Sequence, residues 1–164
     1  MVKEKRFDKE GIESLAIFSD DEKYRFVLRR VWDDKKGRTV FIGLNPSTAD
    51  EIKNDPTVSR MISLSKSWGF GSVSVCNLFA FRATFPSDLK KAENPIGDEN
   101  DSFILKEMQD ADKVIACWGN HGKFLNRSEN FSKNLKNFEH FGFTKAGEPH
   151  HLLYLRKDAP LFEG

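Results

Sequence analysis

The sequence predicts an α/β domain of three layers, with helices on both faces of a mainly parallel central sheet. Three observations carry this expectation. Short, almost continuously apolar runs recur at residues 39–44 (TVFIGL), 72–76 (SVSVC) and 114–118 (VIACW), as in strands buried on both faces. Segments of helical period separate them, the pattern of parallel strands joined by crossover helices. The chain has 164 residues, 38% of them hydrophobic and 15 of them Phe, enough to fill one core without a disulfide or metal. A single domain over residues 1–164 is expected.

The elements follow in order. Residues 14–19 and 24–32, joined by Asp20-Asp21-Glu22, read as an N-terminal β-hairpin in which Tyr24, Phe26 and Leu28 alternate with polar neighbours. Residues 33–37 form a second turn before the TVFIGL strand, and residues 45–55 form a polar loop after it. Pro56 suits a first helical turn, and Val58, Met61, Ile62 and Leu64 recur at helical spacing to predict a helix over 56–68, ended by Gly69. The SVSVC strand leads into residues 77–86. Phe103, Ile104 and Met108 mark a helix over 98–109, and a longer helix is predicted from His121 to His140, with Phe124, Leu135 and Phe138 inward. A last strand is predicted at residues 152–155.

Lys and Arg number 26 against 25 Asp and Glu, a formal charge of +1, which excludes a broadly basic nucleic-acid coat. Cys76 and Cys117 lie apart in apolar runs, with no C-x-x-C pair and no Cys/His cluster at zinc spacing, so buried, reduced thiols and no metal are expected. The charged N-terminus lacks an apolar signal segment and no run could span a membrane, so a cytoplasmic protein without membrane contact is expected.

Ligands of such sheets bind where the carboxyl ends of the strands meet the following loops, so three loops distant in sequence are expected to share one cleft. In the first, Gly43-Leu44-Asn45-Pro46-Ser47-Thr48-Ala49-Asp50, Gly43 permits close backbone approach and Asn45 offers an amide that holds a water or a base edge. The same residues also read as a turn followed by a helix cap. In the second, Asn77 precedes Phe79, Phe81 and Arg82. The two rings are read either as core or as a stacking platform, and Arg binds phosphate through two parallel bonds. The third loop, Trp118-Gly119-Asn120-His121-Gly122, is also read as a helix start capped by Asn120. Beyond these lie His150 and His151, which point different ways on an extended chain and so make poor joint metal ligands, although either suits proton transfer or anion stabilisation. Phosphate-loop, dinucleotide and nucleophile-elbow motifs are all missing.

Taken in order, FIGLNPSTAD, the DPT opening the first helix, WGFG, NLFAFRAT, NPIGDEND, ACWGNHG and HLLYL resemble the bacterial and phage family catalogued as domain of unknown function 1643, over roughly residues 23–156. A more distant resemblance is to the uracil-DNA glycosylase superfamily. There GLNP looks like the water-activating loop, VSVCN like the strand ending in the base-reading Asn, VIACWG like an apolar strand ending in Trp-Gly, and His151 stands where the family's His-Pro-Ser loop would be.

That second resemblance implies a glycosylase-like sandwich and cleavage of an N-glycosidic bond in DNA or a nucleotide, without a cofactor. Asn45 would position water and His151 would stabilise the departing base. Asn77 would read a flipped base, with Phe79 or Phe81 stacking on it, while Gly43, Pro46, Ser47, Asn120 and His121 would line the site and Arg82 and Lys123 would meet phosphates. The departures are specific: Asn45 cannot act as a base, Leu152 stands where Pro follows the histidine, and His150 competes with His151. They motivate an alternative, second to the enzyme, in which the same cleft binds a nucleotide or signalling molecule without turnover, as in phage–host conflict. The implied partner is a nucleotide, a short strand or a single flipped base.

Overall fold

The computed structural model describes residues 2–153 and 155–164. Eight strands form one sheet: β1 (Val2–Lys9), β2 (Ile12–Ser19), β3 (Arg25–Val31), β4 (Arg38–Gly43), β5 (Ser72–Asn77), β6 (Lys113–Ala116), β7 (Glu139–His140) and β8 (Phe162–Glu163), in the order β1-β2-β3-β5-β4-β6-β7-β8. Helices α1 (Pro56–Ser67), α2 (Pro86–Lys91), α3 (Asn100–Gln109) and α4 (Arg127–Ser132) connect them, with a 3₁₀ segment over Asn120–Asn126.

The sheet is mixed, which corrects the expectation of a mainly parallel one. Pairing is parallel between β5 and β4, β4 and β6, and β6 and β7, and antiparallel between β1 and β2, β2 and β3, β3 and β5, and β7 and β8. The predicted hairpin is present as β2 and β3, but β1 extends it to a meander. The β1 strand VKEKRFDK escapes detection because charged side chains occupy most of its positions, a composition that keeps an edge strand from pairing with other chains.

Alternation along the strands sends side chains into two cores. Val40 and Ile42 of β4 and Cys76 of β5 join Ile104 of α3, Leu89 of α2 and Phe131 of α4 on one face. On the other, Phe41, Val73 and Val75 pack against Val58, Met61 and Leu64 of α1. Helices therefore cover both faces of the sheet. Helix α1 begins where its residues demand: the Asp55 carboxylate accepts the Val58 N–H at 2.8 Å and Pro56 occupies the first turn.

The long helix from His121 to His140 is not formed. Leu125 (φ 57°) and Asn126 (φ 55°) are left-handed, so the segment breaks into the 3₁₀ turn and the short α4. Phe124, Leu135 and Phe138 still pack inward as the apolar pattern required. The strand predicted at 152–155 does not form among its described residues, 152, 153 and 155; its fourth residue lies outside them.

Cys76 and Cys117 are unpaired and buried. Burial raises both thiols, Cys117 to about 12. Thiol reagents should therefore leave both unmodified in the native protein and label both in urea, read as mass shifts; rapid native labelling would contradict this packing. Among the described residues no helix is long and apolar enough to cross a membrane and no cluster of His, Cys, Asp and Glu could hold a metal.

Candidate functional site

The carboxyl ends of the parallel strands meet at one edge. Gly43 pairs with Asn77 in the β4–β5 ladder, and the chain beyond continues the contact through Leu78 N–H to Gly43 O and Phe79 N–H to Leu44 O, both 2.9 Å. On the other side Cys117 N–H donates to Ile42 O at 2.9 Å. All three predicted loops thus leave from the same edge.

Gly43 is required by the Asn77 side chain. A Cβ at Gly43 would lie 2.9 Å from Asn77 Oδ1, closer than real Cβ contacts allow. Asn77 is 4% exposed, and its Nδ2 finds no hydrogen-bond partner among the described residues. Few buried polar atoms in folded proteins are left so, and each calls for an explanation. The backbone beside it is well held: Asn100 Nδ2 donates to Asn77 O at 2.9 Å and Leu78 O at 3.1 Å, and Arg127 Nε donates to Leu78 O at 2.8 Å.

Asn45 spends both amide hydrogens on the loops, donating to Pro46 O at 3.1 Å and Ala83 O at 2.7 Å. Its Oδ1 is the part that remains for a water. Ala83 N–H returns a 3.0 Å bond to Pro46 O, so the 45–48 and 81–84 loops are stitched together. Between them opens a cleft of ≈ 820 Å³ lined by Ser47, Thr48, Phe81, Arg82 and Thr84 among others. Half-buried Phe81 is braced edge-on by Tyr24, 5.6 Å between ring centres.

His151 belongs to a neighbouring grouping. Its Cβ lies 3.6 Å from where a Cβ at Gly119 would be, and Gly119 N–H donates to Pro149 O at 2.9 Å. Its loop is anchored by Glu148, which accepts Trp118 Nε1 at 2.7 Å and Ser128 Oγ at 2.6 Å. Leu153 N–H donates to His151 Nδ1 at 3.1 Å, so the ring proton sits on Nε2. Burial lowers its pKa, with the Asp55 charge opposing. The imidazole is thus held neutral, a donor through Nε2–H.

A linkage effect follows. A histidine whose folded pKa lies below its ordinary 6.5 binds fewer protons folded than unfolded, so its contribution is complete above that value and is lost as pH falls below it. Urea unfolding at pH 7.5 and 5.5 should show a decline that is smaller in His151→Gln; an equal decline in both proteins would contradict it.

The other predicted residues divide sharply. Phe79 is fully buried against Phe124, 5.8 Å between ring centres, and serves the core. Asn120, His121 and Lys123 are exposed and do not line the cleft. Asn120 accepts Thr144 Oγ1 at 2.5 Å, and Gly119, not Asn120, precedes the 3₁₀ turn. His150 is placed by its N–H on Gly142 O, 2.9 Å.

The sequence reading missed Arg25, Asn100 and Glu148. Arg25 is 2% exposed, with Nη1 donating to Ala49 O at 3.1 Å and Nε without a partner among the described residues; burial lowers its pKa to about 10, so it stays charged at neutral pH. A second cleft of ≈ 820 Å³ lies at the opposite edge, by Lys113 and Val114. The residues with orphaned buried atoms, Arg25, Asn77 and Asn100, line neither cleft.

These features define a mixed α/β protein with a polar cleft at the carboxyl ends of its parallel strands. The chain belongs to the family described as "Protein of unknown function (DUF1643)", whose model matches residues 25–153; the cleft residues Glu22 and Lys23 lie outside that match and the rest inside it. No curated protein matches. Among solved structures, the crystal structure described as "Putative hydrolase from Agrobacterium vitis S4" is similar at 12% identity, covering 92% of this chain and 67% of that one, with a TM-score of 0.27.

Proposed function

We propose that this protein recognises a nucleobase at the carboxyl edge of β4 and β5 and hydrolyses its N-glycosidic bond, using a glycosylase-like arrangement of strand-end loops. The observation that carries the reading is the buried Asn77 amide, whose Nδ2 has no partner among the described residues at the edge where ligands of parallel sheets bind. A carbonyl acceptor on a base edge is the complement of such a donor.

In the reaction the C1′–N bond breaks and its electron pair leaves with the base. Neutral His151 donates through Nε2–H to the resulting anion, and a water adds its oxygen to C1′. Asn45 Oδ1 orients that water and stabilises positive charge on the sugar. An amide does not accept the water's proton, which ends on the departed base. Phe81 supplies the aromatic face for the base.

One observation favours binding without turnover: both Asn45 hydrogens are committed to backbone carbonyls, leaving a single weak acceptor at the water position. Incubation with nucleosides, nucleotides and oligonucleotides carrying uracil or modified bases separates the readings. Released free base, lost in Asn45→Ala, supports the enzyme. Saturable binding with the ligand recovered intact supports the binder, and neither result in the whole panel overturns both.

A further inference from the structure

We propose that the cleft beside Arg82 is a phosphate subsite, so that the ligand is a phosphorylated nucleoside rather than a free base or nucleoside. This rests on the nucleobase reading above for the ligand's identity, whereas the phosphate subsite itself stands on separate residues.

Arg82 is fixed in the cleft wall, with Nη1 donating to Glu22 O at 3.1 Å, Nε 3.5 Å from Ser47 O, and its plane 4.9 Å from the Phe18 ring centre. Arg25 lies under the same loop on Ala49 O, with Nε without a partner among the described residues. Neither forms an ion pair with a carboxylate among the described residues. Buried charge is costly unless it is paired; Arg25 is the buried one, with the Asp55 charge nearby, and half-buried Arg82, which lines the cleft and donates only to carbonyls, leaves an anion as its missing partner.

Of the acids in the same wall, Glu22 and Asp50 are held by other groups, and Asp50 also lies in the field of Arg82. Glu22 holds Lys3 at 3.2 Å and Lys5 at 2.9 Å. Asp50 accepts the N–H groups of Ile52 at 2.9 Å and Lys53 at 2.7 Å. Asp88, in the first turn of α2, also borders the cleft. Against these stand the hydroxyls of Ser47, Thr48 and Thr84, which line the cleft and make no side-chain hydrogen bond among the described residues.

The Arg82 guanidinium fork and several hydroxyls suit a tetrahedral oxyanion, which accepts from many directions, better than a planar carboxylate. At ≈ 820 Å³ the cleft holds more than a phosphate alone. It shares the Ala83 wall with Asn45, so a phosphate there lies next to the base-recognising edge.

The test uses the full chain and inorganic phosphate, with potassium chloride at matched ionic strength as the reference. Phosphate should shift the Arg82 Nε–H resonance saturably and raise the unfolding temperature, and a nucleoside 5′-monophosphate should bind at least about tenfold more tightly than its nucleoside. Arg82→Gln should abolish that advantage. Should it fail to fold, Ser47→Ala, which removes only a hydroxyl, should reduce it. A phosphate response no greater than that to chloride, or equal affinity for nucleoside and monophosphate, overturns the subsite. Equal affinity would leave the nucleobase reading intact. A saturable phosphate response, lost in Arg82→Gln, with no affinity added by any base, would sustain the subsite and overturn the nucleobase reading.

Discussion

Glu107→Ala is expected to lower the unfolding temperature by roughly 6–12 °C, corresponding to about 3 kcal/mol at the usual 2–4 °C per kcal/mol for a chain of this size. Glu107 is buried on α3, accepting Arg29 Nη2 at 2.7 and 2.8 Å and Ser74 Oγ at 2.8 Å. The trio joins α3 to β3 and β5. Its removal strands the Arg29 charge in the interior, although the Arg29 side chain remains 22% exposed and recovers some hydration, which places the cost at the low end of the range for broken buried pairs. The double replacement Arg29→Met with Glu107→Leu should recover most of the loss, because it removes both charges. Calorimetry of the two proteins checks this, and a double variant as unstable as the single one would contradict the explanation.

Asn77→Leu should move stability and function in opposite directions. The replaced amide carries a buried donor without a partner among the described residues, at a cost of about 1–3 kcal/mol in the folded state, so the apolar replacement of similar size should leave the protein as stable or more so. If that amide reads a base, the same replacement should weaken nucleobase binding by about 10- to 100-fold, the equivalent of one buried hydrogen bond. Paired measurements of unfolding and ligand titration check both halves. A variant that is destabilised yet binds normally would make Asn77 a structural residue. Gly43→Ala provides an independent route to the same site, since its methyl displaces the Asn77 side chain without altering its chemistry.

The parts of the fold legible in the sequence are those where local and tertiary requirements agree. TVFIGL is apolar on both faces because β4 lies at the centre of the sheet with a core on each side. Helix α1 carries its own start signal in Asp55 and Pro56. Where the two requirements part, the reading fails. The segment from His121 to His140 keeps its inward-facing aromatics yet cannot be one helix, because Leu125 and Asn126 turn left-handed. The charged β1 has no apolar face to announce it.

The site divides in the same way. Asn45, Asn77, Phe81 and Arg82 were legible as polar or aromatic residues at strand ends. Phe79 was not separable from Phe81 by type, and only the buried position distinguishes it. Arg25 looked like an outward-facing member of an alternating strand, because its burial comes from the 45–55 loop folding over it, through the bond to Ala49 O. That contact joins segments far apart in sequence and leaves no local trace. Glu148 likewise carries no local signal, because its role lies in accepting bonds from Trp118 and Ser128, far from it in sequence.

The proposed function turns on one atom, the Asn77 side-chain nitrogen, whose amide resonances can be followed directly. Titration of the folded protein with nucleoside monophosphates should shift the Asn77 Nδ2 cross-peaks saturably for at least one base, with no response from ribose 5-phosphate. If no base moves those resonances while the protein remains folded, Asn77 is not the reader of the base and the proposed function falls.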